Sequence, residues 1–103
     1  MKTYVKLYKE GDHMGIETNA LIEGDFIRQY SVAVSNLIHQ KRFENDWFFQ
    51  LEIWTKNAFD IIAKIRGYKT EVNESRILQS GYCPFGNKDL VIDTTVETEN
   101  DGL

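Results

Sequence analysis

The chain has 103 residues, 42% hydrophobic and 27% charged, which fits one globular domain and excludes a chain disordered along most of its length. Its net charge of −4 lacks the strong positive balance that phosphate-dominated nucleic-acid binding favours. No apolar run approaches the ~18 residues of a membrane helix, the start from Met1 to Lys6 has no signal-type apolar core, and the lone Cys83 cannot form an internal disulfide, so the expected setting is cytoplasmic.

Thr3 to Lys9 alternates as a strand, with Val5 and Leu7 on one side and Lys2, Tyr4, Lys6 and Tyr8 on the other. Glu10-Gly11-Asp12-His13 reads as a turn. Met14 to Glu23 reads as a second strand, with Met14, Ile16, Thr18, Ala20 and Ile22 on one face, so the two form an antiparallel hairpin. Asp25 is placed to cap a first helix that reaches about Gln40 and carries Phe26, Tyr30, Ala33, Val34 and Leu37 at helical spacing.

Asp46 offers a second cap. Trp47, Leu51, Trp54, Ala58, Ile61 and Ile65 then follow in steps of four and three, the clearest helical pattern in the chain. Gly67 is expected in the left-handed position just past that helix. Strands are expected at Tyr68 to Val72, at Arg76 to Tyr82 and from Leu90 to about Val96, with Pro84-Phe85-Gly86-Asn87 as a turn. The order β-β-α-α-β-β-β implies an α+β fold with two consecutive helices packed on one face of a mostly antiparallel sheet. One domain covers residues 1–96, and residues 97–103 are an acidic tail expected to fray.

The acidity is local. Residues 89–103 hold Asp89, Asp93, Glu97, Glu99 and Asp101 with no lysine or arginine; these five acids exceed the net charge of −4 by one and leave residues 1–88 at +1. Such a segment either aids solubility or docks on a basic partner.

Catalytic signatures are sparse. Cys83 is the only thiol, and nothing in the sequence sets His13 or His39 beside it, so a structural cysteine is expected. Glu10, Asp12 and His13 cluster in a turn but lack metal-ligand spacing, and Gly11 to Gly15 lacks the lysine and helix of a phosphate loop. No catalytic residue, metal or cofactor is therefore assigned.

Two surfaces remain. Tyr4, Lys6 and Tyr8 alternate aromatic and basic groups as sheet-based single-strand binders do, although tyrosine and lysine are also ordinary on an outer strand face. The second helix is apolar on more than one side. Phe48, Phe49 and Phe59 are candidate interface aromatics if that helix is not fully covered, for another protein or for a second copy as a homodimer. The expected function is a non-catalytic protein-binding module, such as a small acidic inhibitor or accessory protein of the kind phages and mobile elements encode. Its acids at Asp89, Asp93, Glu97, Glu99 and Asp101 would engage a basic, nucleic-acid-acting partner. The alternatives are single-stranded nucleic-acid binding through Tyr4, Lys6 and Tyr8, and a small enzyme with an unrecognised site.

Overall fold

The computed structural model describes residues 2–40, 47–68, 77–84 and 89–95. Its elements are β1 (Val5–Glu10), β2 (His13–Thr18), α1 (Glu23–His39), α2 (Trp47–Tyr68), β3 (Ile77–Tyr82) and β4 (Leu90–Asp93). The strands form one four-stranded sheet in the order β3-β2-β1-β4, and every pairing is antiparallel. Both helices lie on one face, α2 over β2 and β3 and α1 over β1 and β4. The α+β architecture is as the sequence implied, with four strands among the described residues where five were expected along the chain. The strand expected to begin at Tyr68 does not begin there, because Tyr68 closes α2; residues 69–72 lie outside the described residues.

The core follows the two periodicities. Val5, Leu7, Met14, Ile16, Ile77, Leu90 and Ile92 point inward from the strands and meet Phe26, Ala33 and Leu37 of α1 and Trp54, Ala58, Ile61 and Ile65 of α2. Buried polar groups tie the sheet to its surroundings. Thr94 Oγ1 accepts from the Val5 amide at 2.7 Å, and Thr18 Oγ1 donates to the Tyr4 carbonyl at 2.6 Å. Asn57 Nδ2 on α2 donates to the Met14 carbonyl at 3.4 Å. These bonds pair polar groups at the buried or partly buried edge of the core.

Several boundaries differ from the sequence reading. β2 stops at Thr18, so Ile22 does not continue its inner face and is 64% exposed at the N-cap of α1. Asp25 is not the cap; it lies inside the first turn, and Ile22 makes no side-chain capping bond. At that start Arg66, near the end of α2, donates to both carboxylate oxygens of Glu23, at 2.7 and 3.0 Å. That bond holds the Glu23 carboxyl below its ordinary pKa. A carboxylate in the first turn also suits the positive end of the helix dipole. Gly67 is inside α2, and the one left-handed glycine among the described residues is Gly11, at φ 62°. Asp46, Pro84's following turn residues 85–88 and Val96 onward lie outside the described residues.

Lys9 is the one lysine buried among the described residues. It continues the inward row of Val5 and Leu7 and is 1% exposed, with its ammonium donating to the Gly11 carbonyl. The lysine thus closes the β1–β2 turn from inside. A buried ammonium carries a heavy desolvation penalty, and an apolar chain of similar volume avoids it. Lys9→Met should therefore leave the urea midpoint unchanged or raise it. Lys9→Ala should lower stability by about 2 kcal/mol or more, because it opens a cavity as well.

Candidate binding face of the sheet

With both helices on one side, no described element covers the other face of the sheet, and strand register fixes what it presents. One cross-sheet row is Leu78, Glu17, Lys6 and Asp93. The next is Ser80, Gly15, Tyr8 and Val91, and the third is Tyr82, His13 and Glu10. Leu78, Tyr82 and Val91 are exposed large side chains on this face. Tyr4 joins it from the start of β1, where its hydroxyl donates to Glu17 Oε2 at 2.5 Å.

Tyr8 lies down across Gly15. A Cβ placed at Gly15 would fall inside contact distance of the Tyr8 hydroxyl and 2.9 Å from the Gln79 carbonyl oxygen of β3. Gly15 is accordingly buried although it points outward. Beside the ring is a shallow depression of about 220 Å³ lined by Lys6, Tyr8, Glu10, Glu17 and Val91. Partial burial raises the Tyr8 phenol above its ordinary pKa, and the Glu10 and Glu17 carboxylates raise it further. The phenol therefore stays a neutral donor, beside carboxylates that accept.

The electrostatics of this face are acidic. Lys6 sits in register between Glu17 and Asp93 of the two neighbouring strands. Glu10 adds a further acid. At the turn end of the sheet, Asp89 Oδ1 accepts from the Gly11 amide at 3.0 Å, and the Cys83 amide donates to the Asp12 carbonyl at 2.7 Å. The hairpin turn thus pins the acidic residues Asp12 and Asp89 next to the ends of both edge strands.

The residues singled out from sequence separate as follows. Tyr4, Lys6 and Tyr8 do share one face, as alternation required. Asp93 joins them, and its carboxylate also accepts from the Thr95 amide at 2.9 Å and hydroxyl at 2.7 Å. Asp89 lies at the rim; Glu97, Glu99 and Asp101 lie outside the described residues. Phe48, Phe49 and Phe59 are 64%, 47% and 67% exposed on α2, on the opposite side of the molecule from the open sheet face. Cys83 is fully buried, whereas His13 and His39 are exposed. His13 Nε2 stands 3.9 Å from Asp12 Oδ1. Among the described residues no group of three or more His, Cys, Asp or Glu is placed to hold a metal ion, and no helix is long and apolar enough to cross a membrane.

Glu10 and Glu17 were not singled out from sequence as members of a site. The signal was available in the hairpin register, which sets Glu17 opposite Lys6 and Glu10 opposite His13 once the two-residue turn at Gly11-Asp12 is placed. What the fold and this face define is a small α+β domain whose four-stranded sheet is covered on one side and presents tyrosines among carboxylates on the other. No protein-family model, curated protein or solved structure matches the chain.

Proposed function

We propose that the protein is a non-catalytic binding module of the cytoplasm whose open sheet face engages a basic protein, as an inhibitor or accessory protein of a nucleic-acid-acting partner would. The observation that carries this reading is the placement of Glu10, Glu17 and Asp93 around Tyr4 and Tyr8 on a sheet face that neither described helix covers. Carboxylates at strand spacing can receive arginine or lysine side chains, and tyrosine rings offer them a cation–π surface and rigid contact area. Such a face would compete with phosphates for a basic groove.

The same arrangement favours this reading over nucleic-acid binding through Tyr4, Lys6 and Tyr8. A phosphate approaching Lys6 would also meet Glu17 and Asp93, its register partners on both sides.

The test compares the unaltered protein with the triple variant Glu10→Gln, Glu17→Gln, Asp93→Asn in capture from nuclease-treated lysate of the source cells. Affinity for the captured partner is then measured over a range of salt. The triple variant should bind at least about 2 kcal/mol more weakly and with a flatter salt dependence. Glutamine at 17 can still accept from Tyr4, so the fold is retained. Equal affinity of the two proteins at low salt rejects the acidic face as the binding site. A labelled single-stranded oligonucleotide that binds, and is released by Tyr4→Ala with Tyr8→Ala, establishes the nucleic-acid reading instead.

A further inference from the structure

The second exposed surface lies on the helical side, and its pattern is that of a face that matches itself. Phe48, Leu51, Glu52, Thr55, Lys56 and Phe59 line a groove of about 510 Å³ along α2. Phe48 and Phe59 at its ends are 64% and 67% exposed, which is unusual for two phenylalanines on one stripe of a soluble helix. The groove's two charged residues are of opposite sign, Glu52 and Lys56. A strongly basic or strongly acidic partner would therefore gain at one of them and lose at the other.

The order along the stripe is phenylalanine, acid, base, phenylalanine. If a second α2 is laid antiparallel on the first about a two-fold axis near residue 54, Phe48 falls opposite Phe59 and Glu52 opposite Lys56, each pair formed twice. This is the condition for an isologous contact, in which one patch serves both partners. The neighbouring helix extends the pattern. The Glu23–Arg66 and Tyr30–Thr55 bonds set α1 antiparallel to α2 and fix their relative level. Ile27, between Glu23 and Tyr30, is thus level with the Phe59 end, and Ile38 lies toward the Phe48 end; they are 44% and 57% exposed. Each end of the seam therefore offers one phenylalanine and one isoleucine.

We infer that the outer seam of α1 and α2 is a two-fold interface with a second copy of this chain, centred on Glu52 and Lys56 and closed at each end by Phe48 against Phe59. The contact leaves the sheet face open, so the dimer stands or falls independently of the partner proposed for that face.

The experiment is sedimentation velocity over a concentration series of the full chain. The unaltered protein should shift from monomer to dimer as concentration rises. Phe59→Glu should raise the dimer dissociation constant about tenfold or more with an unchanged circular-dichroism spectrum. A charge-swap pair supplies the second measurement. Glu52→Lys alone and Lys56→Glu alone should each dimerise more weakly, because like charges then face one another. An equimolar mixture of the two variants should recover dimers, since each supplies the charge the other lacks. A monomer at every attainable concentration overturns the inference. So does a dimer that is indifferent to Phe59→Glu, or a mixture no more dimeric than its components.

Discussion

Trp54→Ala should destabilise the domain by about 3–5 kcal/mol, a large part of the ~5–15 kcal/mol that holds a domain of this size together. Trp54 is the largest fully buried side chain described, at 0% exposure. It projects from the middle of α2 onto β1, where its indole nitrogen donates to the Tyr8 carbonyl at 3.4 Å. Removing the ring takes away the transfer energy of its whole surface and leaves a void between helix and sheet that rigid strands cannot close. Trp54→Phe retains most of the volume and loses the long hydrogen bond, so it should cost roughly 1–2 kcal/mol. Equilibrium denaturation followed by far-ultraviolet circular dichroism gives both values. Similar midpoints for the alanine and phenylalanine variants would show that the helix closes onto the sheet without this ring.

Gly15→Ala should cost about 1–3 kcal/mol, the range for overpacking a filled site. Backbone freedom is not the cause, because Gly15 does not adopt a left-handed conformation. The methyl group would meet the Tyr8 hydroxyl, which can swing away, and the Gln79 carbonyl oxygen of β3 at 2.9 Å, which is held in the ladder. The two obstacles separate in a double-mutant cycle. In a Tyr8→Ala background the alanine at 15 should cost less, and the remaining loss reports the clash with β3. Additive costs would mean that Tyr8 does not rest on Gly15. If the sheet face binds the basic partner proposed for it, Gly15→Ala should also weaken that binding, because a displaced Tyr8 ring no longer stands between Glu10 and Glu17.

Alternation along β1 and the 4-3-4-3-4 spacing through α2 located most of the inward residues, although Leu51 of that stripe is half-buried and lines the outer groove. Val5 and Leu7, and Trp54, Ala58, Ile61 and Ile65, are core residues as their spacing requires. Period two also turns Lys9 inward with Val5 and Leu7. A lysine reads as solvent-facing on chemistry alone, and what overrides this is the Gly11 carbonyl that receives its ammonium at the turn. The start of α1 is a similar case. Asp25 is the better capping residue by type, but the helix begins at Glu23, where Arg66 from 43 residues away binds its carboxylate.

The same division applies to the candidate surfaces. Tyr4, Lys6 and Tyr8 were placed on one face by the strand itself, because that relation is local. The sign of the face was not, since it depends on Glu17 from β2 and Asp93 from β4, which meet Lys6 only when three strands come into register. Likewise the excess apolar width of α2 was plain from its residues, but which phenylalanines stayed outside depended on where α1 and β3 came to rest. The sequence by itself determined the element types, the order of helices and strands, and most of the core, all of which follow from periodicity within one element. The charge of the sheet face and the exposure of Phe48 and Phe59 came from packing, because each is set by residues distant in the chain that the fold brings side by side.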